Sequence, residues 1–384
     1  MMYADKIKSI APSQTIAITT LAQELKAQGK DILSFSAGEP DFDTPPCVKE
    51  AAKAAIDAGF SKYTPVKGIP ELLQAIAKKF QNENGLNYGA DEVMASNGAK
   101  QCLFNAFQAL INPGDEVIIP APYWVSYPEL VTYSGGKNVF LPTDAATGFK
   151  ITPDQLQKAL TPKTKILVLT SPSNPTGMIY TKAELQALAE VLENTKVWVL
   201  SDEIYEKLVY EGSMCSFGAL EGQLERTITI NGLSKAVSMT GWRVGYLGTK
   251  DKTLLKHMLA LQSHSTSNIN SIAQKAALAA LQGCADQDIE KMRLAFKERR
   301  DIAYAGLNEI KGLSALKPQG AFYLWIQIPG QNSMQFCQTL LEKQGIALVP
   351  GSAFGVEGFV RMSYACSLEQ IKAGLERLKK FMDA

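Results

Sequence analysis

Short β-branched runs alternate with helix-period segments through most of the chain, and this alternation restricts the fold more than any other feature. Strands that reach one another across intervening helices form a largely parallel sheet with helices on its faces. The runs fall at residues 116–119, 139–141, 166–170, 197–200, 227–230 and 244–247. Residues 71–82 read as an amphipathic helix with Pro70 well placed at its start, and residues 182–193 as another. From about Asp286 the pattern changes to a long charged helix over 289–309, strands near 322–328 and 346–349, and a terminal helix from Leu368. The predicted class is therefore α/β, with a second, smaller α+β domain. At 384 residues the chain exceeds one simple core, so two packed domains are expected.

Composition removes several classes of function. Lys and Arg total 39 against 38 Asp and Glu, so no bulk charge draws the chain to nucleic acid or to a membrane surface. The six cysteines (Cys47, Cys102, Cys215, Cys284, Cys337, Cys366) stand singly, without metal-ligand spacing, and read as reduced packing residues; no metal is expected. The apolar runs are strand-length and far shorter than a membrane span. The first ten residues lack the apolar core of a signal peptide, which makes the cytoplasm the expected location. No GxxxxGK[ST] run marks a nucleotide-binding loop.

Chemistry gathers where the strands should end, which is where open α/β sheets place their ligands. Ser171-Pro172-Ser173-Asn174-Pro175-Thr176-Gly177 follows one strand, Ser201-Asp202-Glu203-Ile204-Tyr205 a second, and Asn231-Gly232-Leu233-Ser234-Lys235 a third. Each alone has a plainer reading: a turn, a helix cap and a solvated lysine. Three in order at successive strand ends favour chemistry. The two histidines, His257 and His264, lie in a helical segment, which argues against a histidine triad. A lysine among polar groups can form an imine with an aldehyde cofactor, and pyridoxal phosphate fits the rest. Asp202 suits its ring nitrogen, Asn174 and Tyr205 can donate to its ring oxygen, and Trp124 can stack on the ring. Ser234, Arg243 and the helix start at Asn97-Gly98-Ala99-Lys100 can hold its phosphate.

The chain resembles the bacterial branch of the class I aspartate aminotransferases over nearly its whole length. The matching stretches are Gly38-Glu39-Pro40-Asp41-Phe42-Asp43-Thr44-Pro45, Tyr63 with Gly68-Ile69-Pro70-Glu71, Pro122-Tyr123-Trp124-Val125-Ser126-Tyr127-Pro128, Asn174-Pro175-Thr176-Gly177, Asp202-Glu203-Ile204-Tyr205, and Ser234-Lys235 through Thr240-Gly241-Trp242-Arg243-Val244-Gly245. The resemblance implies fold type I architecture, with a mostly parallel seven-stranded sheet in a large cofactor-binding domain (44–285). Residues 1–43 and 286–384 would form the small domain with the N-terminal segment. It implies pyridoxal phosphate in Schiff-base linkage to Lys235, Asp202 on the pyridine nitrogen, Asn174 and Tyr205 on the ring oxygen and Trp124 stacked on the ring. Arg243, Ser234, Lys100 and the backbone of Gly98 and Ala99 would surround the phosphate, and the peptide before Pro175 would be cis.

The same resemblance assigns Arg361 to the substrate α-carboxylate, helped by Asn174, Trp124 and the Gly38 backbone. Taken without the family, Arg361 would be a surface ion-pair residue and Gly38 a turn glycine. Tyr63 matches a tyrosine that reaches the neighbouring subunit's phosphate, implying a homodimer with shared sites; its plainer reading is a core tyrosine. Lys100, Ser13 and Thr15 match the groups that receive a second carboxylate, although a solvated lysine and a helix cap would also account for them. The implied activity is reversible ping-pong transfer of an amino group from L-aspartate to 2-oxoglutarate, with the N-terminal segment and small domain closing over the substrate. Alternatives are a broader aminotransferase acting on aromatic or aliphatic amino acids, a carbon–sulfur lyase or decarboxylase, and a non-catalytic ligand sensor. Some relatives active on prephenate have a lysine where this chain has Ala11, which argues against that activity.

Overall fold

The structure, a computed structural model, describes residues 4–12 and 14–384, so the expectation for Ser13 lies outside the described residues. Seven strands form the central sheet: β1 (Val93–Asn97), β2 (Glu116–Ala121), β3 (Lys137–Pro142), β4 (Thr164–Thr170), β5 (Trp198–Asp202), β6 (Thr227–Gly232) and β7 (Val244–Gly248). Their spatial order is β1-β7-β6-β5-β4-β2-β3. Only β7 runs against its neighbours. The apolar runs of β4 to β6 are buried on both faces, as parallel strands between helical layers require. Six of the seven strands match the sequence reading. β1, Val-Met-Ala-Ser-Asn, was not anticipated because half of it is polar or small, although all but Asn97 is buried.

Four helices matter for the site. α1 (Gln14–Ala27) lies within the N-terminal segment, α2 (Pro46–Asp57) begins just after that segment ends, and α3 (Pro70–Asn84) opens with the expected proline. α3 stops where Gly85 adopts a left-handed conformation at φ 69°. α4 (Ala99–Leu110) begins directly after β1, with Gly98 at its cap. Strand β7 passes so close beneath this start that a Cβ on Gly245 would lie 2.2 Å from the Ala99 nitrogen. Gly245→Ala should therefore cost roughly 1–3 kcal/mol through overpacking. A lower thermal midpoint checks this, with Gly241→Ala, whose added methyl meets nothing within 4 Å, as the neutral control. Equal midpoints for the two would show that β7 and α4 separate freely.

Beyond the sheet, α5 (Ser271–Ala279) leads through a kinked turn over Ala280–Cys284 into α6 (Asp286–Asn308). α6 buries Met292, Phe296, Arg300, Ala303 and Leu307, a spacing of three and four that presents one face to the second core. That core lies on an antiparallel sheet of β8 (Ser314–Ala315), β9 (Tyr323–Gln327), β10 (Val349–Pro350) and β11 (Phe359–Ser363), in the order β10-β11-β9-β8. The single strand predicted over 346–349 is two: Ile346–Ala347 pairs in parallel with Leu33–Ser34, while Val349–Pro350 joins the sheet. One apolar run thus ties the N-terminal segment to the second core. The terminal helix spans Leu368–Met382. Among the described residues no helix is long and apolar enough to cross a membrane.

The reading of all six cysteines as reduced is corrected for one pair. Cys47 and Cys284 form a disulfide across 237 residues of sequence, with Cα atoms 6.2 Å apart. The reason is tertiary: α2 packs against α5, which brings the turn carrying Cys284 over the first turn of α2. Nothing in the linear spacing of two single cysteines reports that contact. Cys102, Cys215, Cys337 and Cys366 are free.

Candidate active site

The three polar clusters meet as expected, because β4, β5 and β6 are adjacent and end together: Thr170 pairs with Asp202, and Asp202 with Ile230. Above those ends lies a cavity of about 300 Å³. Its lining includes Thr15, Gly38, Ala99, Lys100, Trp124, Asn174, Asp202, Tyr205, Ser234, Lys235, Arg243 and Arg361. Gly98 adjoins it through Arg243. Tyr63 is not in the lining; it stands on the surface, 91% exposed, which contradicts the plain reading of a core tyrosine. The peptide before Pro175 is cis, as are those before Pro122 and Pro172.

Lys235 sits in the turn after β6 and donates from Nζ to the Gly38 carbonyl at 2.6 Å. Burial lowers its pKa to about 8, the Arg361 and Arg243 charges act in the same direction, and Glu39 and Asp202 oppose them. An ammonium so weakened yields the free amine near neutral pH, which nucleophilic and proton-transfer chemistry needs. Asp202, at the end of β5, is buried; its Oδ2 accepts from the Tyr127 hydroxyl at 2.7 Å and its Oδ1 from the Ile204 N–H at 3.3 Å. Burial raises its pKa, against the Tyr127 and Ile204 hydrogen bonds and the Lys235 charge. No described lysine or arginine forms an ion pair with Asp202. A protonated ring nitrogen would supply the missing cation.

Arg361 rises from β11 and is 2% exposed, not the surface residue that its sequence context alone suggested. Its Nη1 donates to Asn174 Oδ1 at 3.0 Å and its Nη2 to the Ser36 carbonyl at 2.8 Å. The guanidinium carbon lies 4.3 Å from the Tyr323 ring centroid and 5.0 Å from that of Phe354. Its Nε is buried without a partner, and no described carboxylate pairs with it. A buried guanidinium held only by neutral acceptors is incomplete, since an uncompensated buried charge is costly. An anionic ligand completes it. Gly38, whose backbone the resemblance places near the substrate carboxylate, accepts from Lys235 Nζ through its carbonyl.

At the opposite end, Gly98 has φ 80° and its missing side chain admits Arg243, whose Nη2 would lie 2.5 Å from a Cβ there. Arg243, itself at φ 58°, donates to the Thr240 carbonyl at 2.9 Å. With the first N–H groups of α4 and the buried Ser234, these residues form an anion site of the kind helix starts provide. Lys100 turns its ammonium over Trp124, 5.0 Å from the ring centroid, and burial with the Arg243 charge lowers its pKa. Among the described residues Lys100 has no carboxylate partner, and Thr15 Oγ1 is buried with no hydrogen bond. The sequence reading missed Thr170 and Tyr323, and named Tyr127 only within a matching stretch. Tyr127 Oη lies 2.7 Å from Thr170 Oγ1, and Tyr205 Oη lies 2.8 Å from Tyr323 Oη. No signal in the sequence picks out Tyr323, because β9 is buried on both faces and has no alternation to read.

A buried amine, a buried carboxylate without a cation, an aromatic wall and an anion cradle fit pyridoxal phosphate, and on this sheet they define a fold type I pyridoxal-phosphate enzyme. The family model for aminotransferase class I and II matches residues 30–378. The chain is 49% identical over 394 residues to the aspartate aminotransferase of Geobacillus stearothermophilus, covering 100% of each. It is 48% identical over 393 residues to the aspartate/prephenate aminotransferase of Cereibacter sphaeroides, covering 98% of each. The solved structure of Thermus thermophilus aspartate aminotransferase with maleate superposes with a TM-score of 0.96 at 44% identity, covering 99% of each chain. The chain belongs to the class I and II aminotransferases, which are pyridoxal-phosphate-dependent enzymes.

Proposed function

We propose that this aminotransferase moves the amino group of L-aspartate to 2-oxoglutarate, releasing oxaloacetate and L-glutamate in a ping-pong cycle. The observation that carries this reading is a cavity with two separate cationic positions for substrate carboxylates: the buried Arg361, and Lys100 with Thr15. When bound, pyridoxal phosphate supplies a carbonyl that takes up the amino group and a ring that accepts electron density from the α-carbon. Lys235 would hold the cofactor, and its Nζ takes and returns the α-proton of the amino acid. Asp202 keeps the ring nitrogen protonated, with the Tyr127 hydroxyl holding its carboxylate in place. Asn174 and the Tyr205 hydroxyl would donate to the ring oxygen, and Trp124 would stack on the ring. Gly98, Ala99, Ser234 and Arg243 receive the phosphate. Arg361 grips the α-carboxylate as a bidentate pair, with its orientation set by Asn174 and the Ser36 carbonyl.

Two carboxylates in one substrate require two sets of donors. Lys100 and Thr15 are the second set, with Ser13 the third member of the proposal. Lys100→Ala should weaken L-aspartate by roughly 2–5 kcal/mol and leave L-alanine nearly unchanged. The half-reaction of each amino acid measures this, and an undiminished preference for aspartate would remove Lys100 from the substrate site. The whole reading is tested by the visible absorbance of the purified protein before and after L-aspartate without an oxo acid. A cofactor band that shifts on adding aspartate supports it, and an unresponsive band refutes it. With Ala11 in place of a lysine, prephenate should be a poor amino acceptor.

The domain division at residues 43/44 and 285/286 belongs to the same proposal, with the smaller unit closing over bound substrate. So does the homodimer. Tyr63 is exposed on the surface in this chain, along with Ile56 on α2 at 58% exposure, and a partner subunit gives both a place to go. The Tyr63 hydroxyl then reaches the partner's phosphate. Sedimentation at micromolar concentration tests this, and a monomer with full activity would exclude a shared site.

A further inference from the structure

Tyr323 opens β9, is fully buried, and touches two parts of the site that the mechanism uses separately. Its hydroxyl lies 2.8 Å from the Tyr205 hydroxyl, its one hydrogen-bond partner among the described residues. Its ring centroid lies 4.3 Å from the Arg361 guanidinium carbon. The hydroxyl also abuts Gly38, where an added Cβ would stand 3.4 Å away. A phenol has one proton to donate. Once Tyr205 commits its proton to the cofactor's ring oxygen, the contact between the two hydroxyls survives only with Tyr323 as donor.

We propose that Tyr323 is a positioning residue that holds the Tyr205 proton toward the ring oxygen through one hydroxyl-to-hydroxyl bond and braces Arg361 with its ring face. The inference rests on the proposed placement of the ring oxygen against Tyr205. A chain of two donors is stronger than one, since each bond polarises the next. Burial raises the pKa of both phenols while the Arg361 charge lowers both, and Tyr205 is raised further, which leaves Tyr323 the readier donor of the pair. The residue thereby links the group that receives the substrate carboxylate to the group that sets the cofactor's proton affinity.

Donation to the ring oxygen stabilises its negative charge and lowers the proton affinity of the adjacent nitrogen, so removing a donor raises the pH midpoint of the bound cofactor's visible absorbance. The test is a pH titration of that absorbance in the holoenzyme for the parent, Tyr323→Phe, Tyr205→Phe and the double variant. Tyr323→Phe should raise the midpoint by roughly 0.4 to 1 pH unit, the size of one neutral hydrogen bond. Tyr205→Phe should raise it further, and adding Tyr323→Phe to that background should move it no more, because the bond acts only through Tyr205. Maleate, a dicarboxylate without an amino group, should bind Tyr323→Phe within about twofold of the parent, since the ring under Arg361 remains. Tyr323→Leu should weaken maleate roughly threefold to thirtyfold.

If Tyr205→Phe shifts the midpoint and Tyr323→Phe does not, the inference fails while the placement of Tyr205 stands. An additive shift in the double variant also overturns it, as the hydroxyl would then act by another route. If neither single variant shifts the midpoint, the placement of Tyr205 fails and takes the inference with it. Parent-like maleate binding by a folded Tyr323→Leu protein overturns the bracing of Arg361.

Discussion

Lys235→Ala is expected to lower transamination by roughly 10,000-fold or more, a barrier increase of about 5 kcal/mol, while the folded protein still takes up cofactor without a covalent link. One amine serves as tether and as proton carrier, and among the described residues no histidine lines the cavity to replace it. The environment of the amine supports both tasks. Burial and two arginine charges lower its pKa to about 8, so the neutral form that attacks and accepts protons is accessible near neutral pH. The Gly38 carbonyl, 2.6 Å away, holds the amine at the cavity wall. Steady-state turnover with L-aspartate and 2-oxoglutarate measures the effect, and equilibrium dialysis measures the retained cofactor. Turnover within about tenfold of the parent, about 1.4 kcal/mol, would place the proton carrier elsewhere.

Asp202→Asn carries the second large effect, a slowing of α-proton removal by roughly 100-fold to 10,000-fold with the cofactor still bound. The carboxylate is buried, accepts from Tyr127 and Ile204, and faces no cation among the described residues except the more distant Lys235. Burial pushes its pKa up against the Tyr127 and Ile204 hydrogen bonds and the Lys235 charge, and a protonated ring nitrogen would add the close cation that favours the ion. A neutral amide of the same shape keeps the packing and withdraws the charge. Single-turnover absorbance with L-aspartate separates this from a structural loss. An unchanged rate would reduce Asp202 to a structural cap at the end of β5.

These two residues were legible in the sequence for a physical reason. Each directly follows an apolar strand, and strands of a parallel sheet end on one edge, so Asn174, Asp202 and Lys235 had to converge once the strands were adjacent. The long buried run of β4 and the helical spacing on α6 are local patterns, which a chain displays before it folds. The substrate groups were legible only through the family resemblance. Arg361 in a short β run has no local mark of its role, and only the surrounding Asn174, Ser36 and Tyr323 show it buried without an anion.

What the sequence by itself determined was the class of fold, the cofactor and the residues on the sheet edge, because strand period, strand-end position and residue chemistry are properties of short segments. Tertiary structure alone decided contacts between segments far apart in sequence. It paired Cys47 with Cys284, set Tyr323 against Tyr205, and divided residues 346–350 between two sheets. It also drew Lys235 to the Gly38 carbonyl, 197 residues away in the chain. Those contacts depend on how whole layers dock, and the packing energy that selects them is shared over many side chains, with no signature in any one stretch.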